Sequence, residues 1–100
     1  MEPVTNRSYR LRGTRITPAQ QLARDTLWAK FGIEFQESIL DLTKAFAKPQ
    51  PVVMEIGYGM GEATWQIAKD NPAINYLGVE VHMPGVGKLM ARIEEFALTN

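Results

Sequence analysis

The sequence predicts an α/β fold built around one parallel β-α-β unit, and three observations carry that expectation. Two short apolar runs, Val52–Ile56 and Tyr76–Val81, read as strands of a parallel sheet, and Val52–Ile56, bounded by proline and glycine, reads as a buried one. Three glycines at alternate positions, Gly57, Gly59 and Gly61, follow the first run directly. After the second run, Val86, Leu89, Met90, Ile93, Phe96 and Ala97 recur at helical spacing. With 100 residues in all, the chain holds one domain at most.

Residues 1–16 are polar and basic with no sustained periodicity, and read as a mobile basic arm. Residues 17–100 then form the domain. Thr17 and Pro18 give a helix start, a hydroxyl N-cap followed by proline where its missing N–H costs nothing. Ala19, Ala23, Leu27 and Phe31, with Leu22 and Trp28 beside them, form one apolar face that Gly32 ends. A short helical segment fits Leu40–Phe46, and the Lys48-Pro49-Gln50-Pro51 stretch breaks it before the first strand. Glu62–Lys69 reads as a helix that Asn71-Pro72 stops, and Pro84 opens the last one.

Composition narrows the function classes. The chain is 45% apolar and 22% charged, ordinary for a globular protein. No apolar run approaches the roughly 18 residues that span a bilayer, and the N-terminal residues lack a signal-peptide core. There is no cysteine and one histidine, which excludes disulfides and thiolate metal sites and argues against zinc. A cytoplasmic protein with no metal and no membrane partner is the expectation. Net charge is zero, yet residues 1–30 carry six basic groups against two acids, while the rest carries five against nine. A basic arm on an acidic domain fits contact with a polyanion, and equally a solvated tail.

The glycine run and two acids carry the chemistry. A helix that follows such a turn offers unsatisfied N–H groups to an anion. The spacing is G-x-G-x-G, not the G-x-G-x-x-G of dinucleotide folds. Glu55, two residues before Gly57, would repel a pyrophosphate but attract the ammonium of the methionine end of S-adenosylmethionine. Glu80, at the end of the second strand, is placed to accept hydrogen bonds from ribose hydroxyls. Glu55 could instead cap the following helix, and Glu80 could be a strand-end surface charge. His82 reads as structural or capping, with contact to the adenosine as the alternative, Trp65 as a core anchor rather than a base platform, and Tyr58 as either a ligand-site wall or a space filler.

Glu55-Ile56-Gly57-Tyr58-Gly59-Met60-Gly61 and the segment Tyr76–Gly87, with its Gly-Val-Glu-Val-His-Met-Pro-Gly-Val-Gly core, resemble the bacterial tRNA (guanine-N(7)-)-methyltransferase family. Residues Arg7–Gly13 and Thr17–Gln21 resemble that family's N-terminal arm. The resemblance implies a class I, Rossmann-like methyltransferase sheet, of which this chain carries the N-terminal, cofactor-binding part. It implies methyl transfer from S-adenosylmethionine to guanine in the variable loop of tRNA. Glu55 and Glu80 would then be cofactor ligands, with Gly57, Gly59 and Gly61 shaping the loop. Arg7, Arg10, Arg12 and Arg15 would meet tRNA phosphates.

Family members are longer, and their catalytic aspartate, within a Pro-Asp-Pro-Trp segment, has no counterpart in this sequence. The expectation is therefore binding without turnover by these 100 residues. Two other readings stay open on the residues alone: a nicotinamide- or flavin-binding fragment of a Rossmann fold, and a non-enzymatic RNA-binding module. With only two strands, the bare edge of Val52–Ile56 is expected to invite association.

Overall fold

The computed structural model describes residues 15–100. The expected arm of residues 1–16, with Arg7, Arg10 and Arg12, lies outside the described residues except for its last two. The element order is α1 (Pro18–Phe31), α2 (Leu42–Ala45), β1 (Val52–Ile56), α3 (Glu62–Asp70), β2 (Asn75–Val79) and α4 (Met83–Glu95). β1 and β2 pair in parallel with Val52 opposite Asn75 and Ile56 opposite Val79, and α3 makes the crossover. No helix among the described residues is long and apolar enough to cross a membrane.

α1 starts where the sequence places it, with more hardware than expected. Thr17 Oγ1 accepts from the Gln20 N–H at 3.2 Å, and Gln20 Oε1 accepts from the Thr17 N–H at 2.9 Å, a reciprocal capping box. Gly32 ends the helix for a different reason from the left-handed cap its position suggests. Its φ is −84° and its backbone is extended. A Cβ at Gly32 would run into the indole of Trp28, which folds over it. α2 is shorter than expected, because Asp41 caps it: the Asp41 carboxylate accepts from the Thr43 N–H at 3.0 Å and from its hydroxyl at 2.6 Å.

α4 packs along α1, and the glycines of its first turns allow this. Gly87 faces the Gln20 carbonyl of α1 with no room for a side chain. The interior is small: Val86, Leu89 and Met90 of α4 are buried together with Ala68 of α3. α1 itself buries no residue fully. Its far end is tied by Lys30 to Glu94 at 2.9 Å, an exposed pair of little energetic weight.

β1 departs from the expected buried strand. Val53, Met54 and Ile56 are 45%, 59% and 73% exposed. The apolar run encodes the strand, but β2 is its sole partner among the described residues, so one edge and much of both faces stay open. β2 begins one residue earlier and ends two earlier than its apolar run. Asn75, nearly fully buried, is captured by the loop before β1: its N–H donates to the Pro51 carbonyl and its Nδ2 to the Lys48 carbonyl, both at 2.8 Å. At the other end Glu80 turns back on the chain, as described below.

The opposite edge of β2 has a partner at the last residue. Tyr76 N–H donates to the Asn100 carbonyl at 2.7 Å. Because Asn75 N–H faces β1, Tyr76 N–H faces away from it. The Asn100 side-chain amide also holds the end of α3, donating to the carbonyls of Ala68, Asn71 and Ile74 at 2.8 to 3.0 Å. The lateral order is therefore Asn100, β2, β1.

Candidate functional site

The carboxyl ends of two parallel strands meet the first turns of α3 and α4. In open α/β sheets this is where ligands sit. Gly57 closes the pairing, donating its N–H to the Val79 carbonyl at 2.7 Å. The chain then turns through Gly57, Gly59 and Gly61, whose φ values are +74°, +64° and +76°, all in the left-handed region that side chains disfavour. Gly61 N–H donates to the Tyr58 carbonyl at 3.0 Å and Gly61 becomes the N-cap of α3. Having no side chain, it leaves the first turn of α3 without a side-chain cap.

Two surfaces of this loop differ. Gly61 is buried against Leu89, whose side chain would lie 2.9 Å from an added Cβ. At Gly57 and Gly59 an added Cβ would meet nothing within 4 Å. The loop therefore presents bare backbone to an open space on one side while packing on α4 on the other. Gly85, in the first turn of α4, lies directly against the Gly59 carbonyl, and no Cβ fits between them. The glycines of the Pro84–Gly87 stretch thus serve helix approach: Gly85 toward the loop and Gly87 toward α1.

Glu80 and the loop are joined. One Glu80 oxygen accepts from the Gly59 N–H at 2.7 Å, and the other from the N–H groups of Val81 and His82 at 2.9 and 3.2 Å. This return of the side chain onto its own backbone ends β2 at Val79. Burial works to raise the Glu80 carboxyl, but the three N–H donors, with His82 nearby, outweigh it and hold the group below the ordinary glutamate value. Glu80 is thus a charged anchor of the loop and no free surface acid. His82 is the N-cap of α4 by position, but its side chain makes no cap; its backbone carries the turn.

Glu55 takes a different partner. Its carboxylate accepts from the Thr64 hydroxyl at 2.7 Å. Thr64 is buried in the first turn of α3, so Glu55 does reach the helix start, through a side chain and not as an N–H cap. Both residues line a cavity of about 410 Å³ with Val53, Ile67 and Tyr76. Sequence reasoning missed Thr64, since nothing in residue spacing joins a strand acid to a hydroxyl across a glycine turn.

Tyr58 fills space beneath β2. A Cβ at Gly78 would come within 2.8 Å of its ring, so Gly78 makes room for the phenol. Burial, then the neighbouring Glu80 charge, pushes the Tyr58 hydroxyl up to about 12. Trp65 is half-buried, an outer brace rather than a core anchor. It stacks on Phe96 at 4.6 Å and 7° and donates its indole N–H to Glu62 at 3.1 Å, while Glu62 pairs with Lys88 of α4 at 2.8 Å. Arg15 lies among the described residues and is exposed.

Residues 49–100 match a family model described as "Putative methyltransferase". The chain is 47% identical over 98 residues to a protein of Neisseria meningitidis serogroup A named tRNA (guanine-N(7)-)-methyltransferase; the match covers 98% of this chain and 41% of that relative. Proteins of the same name from Psychromonas ingrahamii and Xanthomonas campestris pv. campestris are each 45% identical over 94 residues, 94% of this chain and 39% and 36% of theirs. The chain thus spans about two fifths of the length of the curated relatives it matches.

Proposed function

We propose a function from one premise: the chain belongs to the methyltransferase family whose model spans residues 49–100. Its glycine loop binds S-adenosylmethionine, and the domain it builds methylates guanine at ring nitrogen 7 in tRNA. The substrate reading comes from the name its relatives carry. The two-strand parallel unit continues as a Rossmann-like sheet. The lateral order Asn100, β2, β1 supports this, because the first half of such a sheet runs 3-2-1.

The observation that carries the cofactor reading is the 2.7 Å bond between Gly59 N–H and Glu80. It sets the second-strand acid against the loop at the place where bare backbone faces open space. A nucleoside fits this arrangement. Glu80, held at the end of the second strand by the N–H groups of Gly59, Val81 and His82, is the acid set beside the loop for ribose hydroxyls. Glu55 faces the ammonium of the methionine end, and the uncapped first turn of α3 faces its carboxylate. When bound, the cofactor supplies a methyl group activated on a sulfonium. The contribution of these residues is position: they hold the two ends of the cofactor relative to the strand ends.

tRNA contact falls to Arg7, Arg10, Arg12 and Arg15, the arm's surplus of positive charge. Each neutralised phosphate releases counterions, so affinity would fall steeply with salt.

Calorimetry with S-adenosylhomocysteine and with NAD tests the cofactor reading. The chain is expected to bind the first and not the second, and Glu55→Lys with Glu80→Lys is expected to abolish the binding. Unchanged affinity in the double variant overturns the assignment.

A further inference from the structure

We propose that Thr64 is a positioning residue: its buried hydroxyl holds the Glu55 carboxylate in the rotamer that meets the amino-acid end of the cofactor. The inference rests on the reading of Glu55 given above.

A threonine inside a helix ordinarily turns its hydroxyl back to a carbonyl one turn earlier. Thr26 of α1 does so, donating to the Leu22 carbonyl at 2.7 Å. Thr64 does not. Its hydroxyl leaves the helix and donates to Glu55 at 2.7 Å, a short, charge-assisted bond between two elements. Thr64 is also one of two buried polar residues among those described, and the other, Asn75, is bound to backbone. A hydroxyl at this depth costs stability unless its partner is kept. Valine would fill the same volume with no such requirement.

The geometry gives the bond a use. Glu55 is exposed, on a strand end with open faces, so its side chain has several rotamers available. Thr64 engages one oxygen and fixes the rotamer, leaving the remaining lone pairs for an ammonium donor. α3 is thus fixed to the acid that precedes the glycine turn, at the end of the site assigned to the amino-acid part of the cofactor.

The test compares Thr64→Val, Thr64→Ser and Glu55→Gln in the full chain, with S-adenosylhomocysteine and adenosine as separate probes in calorimetry. Adenosine lacks the amino-acid end and does not need Glu55. Thr64→Val is expected to weaken S-adenosylhomocysteine about tenfold and leave adenosine unchanged, with Thr64→Ser restoring most of the loss. Far-UV circular dichroism of the valine variant should match the parent. If Glu55→Gln weakens S-adenosylhomocysteine but Thr64→Val does not, the role of Thr64 fails and the function stands. Equal loss for both probes in Thr64→Val marks a structural role and also overturns the inference. If Glu55→Gln changes nothing, or the parent chain binds neither probe, the reading of Glu55 fails and takes the inference with it.

Discussion

Gly85 sits against the carbonyl of Gly59, with no space for even a methyl group between the first turn of α4 and the glycine loop. The contact joins the β1–α3 turn to the β2–α4 turn, so the two halves of the site pack directly on each other. Gly85→Ala forces α4 away from the loop. We expect a loss of about 1–3 kcal/mol, the usual cost of overpacking a close contact, read from urea denaturation. Gly87→Ala should destabilise in the same way by separating α4 from the Gln20 carbonyl. A Gly85→Ala variant of parental stability would mean that the two turns are not in contact.

The loop glycines separate stability from binding. Gly59→Ala and Gly61→Ala both place a side chain at positive φ, at about 1–2 kcal/mol each. Gly61→Ala adds a collision with Leu89, so it should be the more destabilising. Gly59→Ala collides with nothing in the protein, and its methyl projects into the space assigned to the ligand. It should therefore retain more stability yet lose more affinity for S-adenosylhomocysteine. The reverse ranking of stabilities in thermal melts would contradict the packing; unchanged affinity in Gly59→Ala would contradict the placement of the ligand.

The sequence made the order of elements legible because each boundary is a local event. Thr17-Pro18 starts α1, Asn71 follows α3, and the run Val86, Leu89, Met90 marks the face of α4 that is buried. The three loop glycines were legible as a turn, and all three adopt positive φ. What stayed hidden depends on contacts between distant residues. Gly32 and Gly78 were not readable as clearances for Trp28 and Tyr58, since their necessity comes from rings that fold over them. The end of β2 was misplaced because Val81 is apolar, while its N–H is taken by the Glu80 carboxylate rather than by a ladder. The exposure of β1 was illegible for another reason: an apolar run encodes what a strand can bury, and its neighbours decide what it does bury.

Glu80 makes the site pH-dependent in a direction that can be worked out. Its carboxyl lies below its ordinary value of 4.5 when folded, because three N–H donors outweigh the effect of burial. The folded state therefore binds this proton less readily than the unfolded chain. The resulting stabilisation is complete above the unfolded value and is lost as pH falls through the lowered folded value. Glu80→Gln should cost stability at about pH 7, and the gap between variant and parent should close as acidification carries the parent through the lowered folded value. Glu62 and Asp41, also lowered, leave a residual slope in both proteins. A gap that stays constant across this range would show that the hydrogen bonds do not depend on the charge.

The open edge of β1 has a consequence for the solution state. A two-stranded sheet is marginal by itself, and an apolar edge is a template for pairing. Met54 and Ile56 alternate with Val53 along β1, so apolar surface is exposed on both faces of the strand. At the outer edge of β2 the Asn100 carbonyl already takes one N–H, which leaves β1 as the more available template. We expect the 100-residue chain to self-associate as concentration rises, and Met54→Lys with Ile56→Lys to suppress it, because charge on an edge strand makes pairing costly. Sedimentation velocity across a concentration series reads both effects. A monomeric mass throughout, with a sharp thermal transition independent of concentration, would show that the edge is protected. The same mass distribution in parent and double-lysine variant would place the sticky surface elsewhere, and exposed Phe35 and Ile39 in the segment between α1 and α2 would be the next to replace.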